Sequence, residues 1–292
     1  MKFLDTTNKI EKVYQKGEFN LELWKKYIAT IHPKLGQLCL KDMNKAIETG
    51  LVSFKEHYQP ILNDVIKNKK AKEEVAKNFH LITQNLDQEI ISKFGKTIDV
   101  EIVLYLGLCN GAGWVEVIDN KTYILLGIEK IIELKWYDFK AMKGLIYHEL
   151  GHAYHNEYTK LNQNFDNNRD KFIWQLFTEG VATFFEQTLI GDFNYYHEDK
   201  DSWKEWCDLN FDKIKEDFDK DLSTMSFENQ RYFGDWVSYN GQGNVGYYLG
   251  TKFIHYLKGK YKFEDILNFD ISKVKKEYKE FIDWNIRANS KC

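Results

Sequence analysis

A chain of 292 residues with 43% hydrophobic and 29% charged side chains has the profile of a soluble globular protein, with room for one large domain or two modest ones. Its net charge of −3, with lysines interleaved among acids as in Lys72-Glu73-Glu74, excludes the concentrated basic face that nucleic acid requires. Four cysteines without paired spacing (Cys39, Cys109, Cys207 and Cys292), no apolar run of signal length behind Met1 and none of transmembrane length predict a reduced, cytoplasmic chain with no membrane span.

Residues 1–95 read as amphipathic helices: Leu21, Trp24, Ile28 and Ile31 recur at helical spacing, as do Ile61, Val65 and Ile66, then Val75, Phe79 and Ile82. With no chemistry of its own, this stretch is expected to form a separate helical region, a lid or docking element. Near residue 97 the period becomes two, with Ile98, Val100, Ile102, Leu104 and Leu106 alternating with Asp99, Glu101, Val103 and Tyr105. A glycine-rich turn at 109–113 and two strand-like runs at 114–118 and 122–128 follow, with Asp119-Asn120-Lys121 as a hairpin turn. The expectation is a small, largely antiparallel sheet. From Asp138, a potential helix cap, the helical period returns with Phe139, Met142, Ile146, Leu150 and Ala153. Further helices are predicted over 169–189, 203–220, 245–258 and 274–286, with a loop region at 223–244. The fold class is α+β and mainly helical, with domains at 1–95 and 96–292.

One span carries chemistry. In His148-Glu149-Leu150-Gly151-His152, the two histidines are about 40° apart around a helix and one turn apart along it, so two ring nitrogens can meet one zinc ion. Glu149 lies about 100° from His148, where a carboxylate can take a proton from water beside the metal without ligating it. A shuffled chain of this composition would contain the pattern about 1.5 times in a hundred. Its place inside a helical stretch directly after a sheet makes coincidence rarer still.

A catalytic zinc needs a third protein ligand. Glu179, in Thr178-Glu179-Gly180-Val181-Ala182, is the leading candidate, because Gly180 and Ala182 let its helix approach the first one closely. Glu186, two turns on, is an alternative ligand or a partner for a ligand's N–H. His155 shares a face with His148, but i, i+4, i+7 ligation strains helix geometry, so packing or support of a ligating residue is the better reading. Glu157 reads as solvated. Cys109 would be a thiolate ligand only in a deformylase-like site, whose signature Leu108-Cys109-Asn110-Gly111 does not match.

The three ordered blocks 148–152, 178–182 and 247–257 resemble the gluzincin clan of zinc metallopeptidases, closest to small bacterial families with H-E-x-x-H followed by E-G-x-A. The resemblance covers roughly residues 97–270. It implies a zincin-like core of sheet and active-site helix with a helical C-terminal part. It also implies Zn2+ held by His148, His152 and Glu179, with Glu149 as base. Tyr247 would stabilise the oxyanion, with Tyr248 and His255 as competing donors. The resemblance further implies an edge strand at 122–127 beside the cleft, open to an extended peptide or protein substrate. Where some gluzincins place an aspartate four residues after the glutamate ligand, this chain has Thr183. The expected function is zinc-dependent peptide hydrolysis; the alternative is a zinc-stabilised protein-binding or regulatory module with little or no peptidase activity.

Overall fold

The computed structural model describes residues 1–50, 52–159, 165 and 167–284. The chain is α+β and mainly helical, and it divides into two compact units, Met1–Glu149 and Leu150–Cys292. The line between them falls inside one uninterrupted helix.

The first unit opens on a strand, β1 (Lys2–Asp5), and a small hairpin of β2 (Tyr14–Gln15) and β3 (Glu18–Phe19). Five helices follow: α1 (Leu21–Ala29), α2 (Leu35–Glu48), α3 (Gln59–Lys67), α4 (Lys69–Thr83) and α5 (Leu86–Phe94). The predicted apolar stripes point inward, with Trp24, Ile28, Val65, Val75 and Phe79 all buried. Next come β4 (Val100–Tyr105), β5 (Gly113–Ile118), β6 (Lys121–Gly127) and the short helix α6 (Ile128–Glu133).

The four-stranded sheet has the order β1-β4-β6-β5. Two expectations change here. The sheet is mixed, because β1–β4 and β4–β6 pair in parallel and only β5–β6 is antiparallel. The region 1–95 is not purely helical either, since Phe3 and Leu4 pair with Ile102 and Val103. Four residues flanked by charge carry too little alternation to announce a strand, and the pairing partner lies about a hundred residues away. The β5–β6 turn behaves as read: Asp119 and Asn120 take φ of 51° and 62°, the two left-handed residues of a tight hairpin.

Helix α7 (Phe139–Tyr158) starts where predicted, and Asp138 Oδ1 accepts from the backbone N–H of Lys140 and Ala141, both at 3.0 Å. Its first half is tied to α5 by Tyr147, whose hydroxyl donates to Glu89.

In the second unit, α8 (Asn168–Ile190) is capped by Asn167 and ends on Gly191 at φ 81°. The predicted helix 203–220 is two helices, α9 (Trp203–Leu209) and α10 (Phe211–Asp221), broken at Asn210. There follow α11 (Val245–Lys258), α12 (Phe263–Ile266) and α13 (Ile271–Asp283). The end of the predicted 274–286 helix and Cys292 lie outside the described residues. The main packing is α8 against α11, where glycine meets glycine. A Cβ on Gly180 would stand 2.2 Å from Gly250 O, and one on Gly250 would stand 2.4 Å from Leu176 O.

Candidate metal centre

Helix α7 carries His148 and His152 one turn apart, as the spacing requires. Gly151 sits between them in sequence and faces α8, where a Cβ would lie 2.7 Å from Ala182 Cα and 2.9 Å from Ala182 O. The two helices can therefore approach almost backbone to backbone. That approach brings Glu179 to His152, with Oε2 3.1 Å from Nε2. Ligand atoms of His148, His152 and Glu179 all lie within 4.8 Å of one another, a grouping that could hold a metal ion. His148 is buried, while His152 and Glu179 are partly open. Two imidazole nitrogens and a carboxylate oxygen are donors that divalent transition metals take.

The predicted small residues divide their work: Gly151 and Ala182 make the α7–α8 approach, whereas Gly180 serves α11. Thr183, at the position where an aspartate is found in some gluzincins, donates its hydroxyl to Glu179 O at 3.0 Å.

Glu186 is fully buried, and its Oε1 accepts from both the backbone N–H (3.1 Å) and the ring Nδ1 (3.0 Å) of His197. His148, Glu186 and His197 form a second buried grouping whose ligand atoms are within 4.8 Å of one another. His197 was not identified from the sequence. It follows the end of α8 in an irregular segment, Tyr195-Tyr196-His197, where no period marks it.

The other candidates separate cleanly. His155 is 3% exposed and lies against Trp174 and Phe177. Burial first, and then the neighbouring His152, lowers its pKa to about 4, so it remains a neutral packing residue. Tyr248 is buried and donates to Asp208 Oδ1 at 2.7 Å, and burial raises its pKa far above that of an ordinary phenol. His255 Nε2 lies 2.9 Å from Gln187 Oε1, and burial lowers its pKa to about 4. Both therefore have packing duties. Tyr247 is half-buried on α11, edge-on to Phe233 at 5.9 Å. Cys109 belongs to neither metal-capable grouping among the described residues.

Glu149 has its own frame within the first unit. Glu149 is 7% exposed and packs on Gly113, where a Cβ would stand 2.6 Å from both Cγ and Oε1 of Glu149. Gly113 is the first residue of β5, and β5 is an edge of the sheet. This corrects the expected edge strand at 122–127: β6 lies inside the sheet, between β4 and β5. An alternating apolar run suits either place, and only the pairing of β4 with β6 decides it.

The segment 107–113 that leads into Gly113 is wrapped around Glu129, a carboxylate 1% exposed. Burial raises its pKa to about 7 against backbone N–H donors that pull it down. In the unfolded chain it titrates near 4.5. Between those values the unfolded chain has released a proton that the folded chain retains, so this group's contribution to stability is complete below about 4.5 and is lost as pH rises through about 7. Urea titrations should show stability declining across that window, with the decline reduced in Glu129→Gln.

No helix is long and apolar enough to cross a membrane among the described residues. Compared with family models, with curated proteins and with solved structures, the chain matches none.

Proposed function

We propose that the protein is a zinc-dependent peptidase, with Zn2+ held by His148, His152 and Glu179. The observation that carries this reading is the convergence of two imidazoles from one helix and a carboxylate from the next, beside a glutamate held against a sheet edge. When bound, the metal supplies Lewis acidity to the scissile carbonyl and the attacking water. Glu149 takes the proton from that water on a carboxylate oxygen and delivers it to the departing amine. Its side chain is confined by Gly113, so the oxygen that takes the proton is aimed rather than free to rotate. The outer edge of β5 offers backbone groups on which an extended peptide can lie. Tyr247 is proposed as the oxyanion donor from its place on α11, one turn before Gly250.

The purified full-length protein should contain one zinc per chain and cleave members of a mixed peptide library. His152→Ala should lose the zinc and the cleavage together. A parent protein without stoichiometric zinc, or cleavage that survives metal stripping, would overturn this reading.

Gly113→Ala tests the frame around the base. It should keep zinc at parental stoichiometry while kcat falls about 10²-fold, because the added methyl occupies the space of the Glu149 side chain. Unchanged kcat with bound zinc would refute that role. In the second grouping, Glu186→Gln should weaken zinc binding about 10–100-fold, as removal of a carboxylate next to a ligating histidine does. Competition with a chelator of known affinity would measure the change.

A further inference from the structure

The frame around Glu149 is itself held by an ionisable group. Glu129 stands at the start of α6, and its two carboxylate oxygens are divided between two backbone donors of the 107–113 segment. Gly107 N–H donates to Oε2 at 2.9 Å and Cys109 N–H donates to Oε1 at 3.0 Å. The segment is shaped to receive the carboxylate. A Cβ on Gly107 would lie 2.6 Å from Glu129 Oε1, and one on Gly127 would lie 3.2 Å from the same atom. Cys109 adopts φ 58°, a left-handed conformation that a side-chain-bearing residue keeps only when its surroundings hold it there. Asn110 Nδ2 donates to Cys39 O at 3.1 Å and to Asp42 at 2.9 Å, and Gly127 N–H donates to Ala112 O at 3.0 Å. One residue further on is Gly113, against the Glu149 side chain.

Both oxygens act as acceptors, a duty that a carboxylate performs and a carboxamide or a protonated acid performs on one side only. A buried anion is costly where an apolar residue would fill the same space. The groups that feel its charge give little relief: Tyr14, Tyr27, Cys39 and Tyr105 are neutral when protonated, and Lys130 on its own helix favours its ionised form.

We propose that Glu129 is a positioning residue for Glu149: its buried carboxylate latches the 107–113 segment and thereby seats Gly113 against the base. The positioning role rests on the peptidase reading above; the latch does not. Burial that raises its titration to about 7 makes the latch sensitive to pH, because a proton on either oxygen puts a donor where an N–H already points.

The test uses zinc-loaded full-length protein and E129Q, each followed by NMR at pH 8. In the parent, the amides of Gly107 and Cys109 should be protected from exchange, and a cross-peak should join Gly113 Hα to Glu149 Hγ. E129Q should keep its zinc, exchange both amides at least tenfold faster and lose the cross-peak. On the mixed peptide library its kcat should fall at least tenfold with little change in KM, and any parental acid limb near pH 7 should disappear. An E129Q protein with parental protection and an intact cross-peak would overturn the latch. A latch lost without change in kcat would overturn the positioning role. A parent that binds no zinc and cleaves nothing would defeat both the peptidase reading and the positioning role, while exchange and cross-peak would still decide the latch. If E129Q does not fold, the parent decides alone: protection and cross-peak should weaken between pH 8 and pH 6, and their constancy across that range would refute the proposal.

Discussion

Glu149→Gln is expected to retain one zinc per chain and to lose about 10³-fold in kcat on a peptide library, about 4 kcal/mol of transition-state stabilisation. The substitution keeps the shape that packs on Gly113 and removes only the capacity to accept a proton. Zinc retention should follow because Glu149 is not among His148, His152 and Glu179, the residues whose donor atoms converge. The pairing of results is what matters: metal content and melting temperature near those of the parent, with turnover nearly abolished. A variant as active as the parent would remove Glu149 from the chemistry. A variant that loses zinc would make the glutamate a ligand instead.

Gly180→Val is expected to have the largest effect on stability, about 3 kcal/mol and a melting temperature lower by roughly 10 °C. The clash cannot be relieved by turning a side chain. The first added carbon would meet the carbonyl O and C of Gly250 at 2.2 and 2.4 Å, so the α8 and α11 backbones must separate. Glu179 immediately precedes Gly180, so displacement of α8 should also weaken zinc binding. Thermal melts with and without added zinc would measure both effects, and a variant melting within 2 °C of the parent would contradict the backbone contact. Gly191→Ala gives a useful contrast, since no atom lies within 4 Å of a Cβ there and its cost is that of a left-handed φ of 81° alone.

Much of this protein was legible in local pattern. Helix period placed α7, α8 and α11 closely, and the cap at Asp138 marked the start of the first. The hairpin at Asp119-Asn120 was legible from residues that accept positive φ. The His148–His152 pair is a property of a single helical turn, and so needs no tertiary information. Ala182 was legible as a small residue that lets α8 approach α7, whereas Gly180, read the same way, meets α11 instead.

Tertiary structure alone decided the rest, because each remaining feature depends on a partner distant in sequence. That β6 is interior and β5 an edge follows from the parallel pairing of β4 with β6. Gly113 reads in sequence as the end of a glycine-rich turn, and its contact with Glu149 joins residues 36 positions apart. Likewise, His197 has no local signature, and only its bonds to Glu186 Oε1 mark it. Glu129 carries no signal in the sequence, and only its burial and its two backbone donors mark it. Sequence determined which histidines one helical turn can align, while long-range packing determined what lies against the Glu149 side chain between them. The physical reason is that helix geometry is set by bonds a few residues long, whereas burial of a charge and exclusion of a methyl group are set by atoms from elsewhere in the chain.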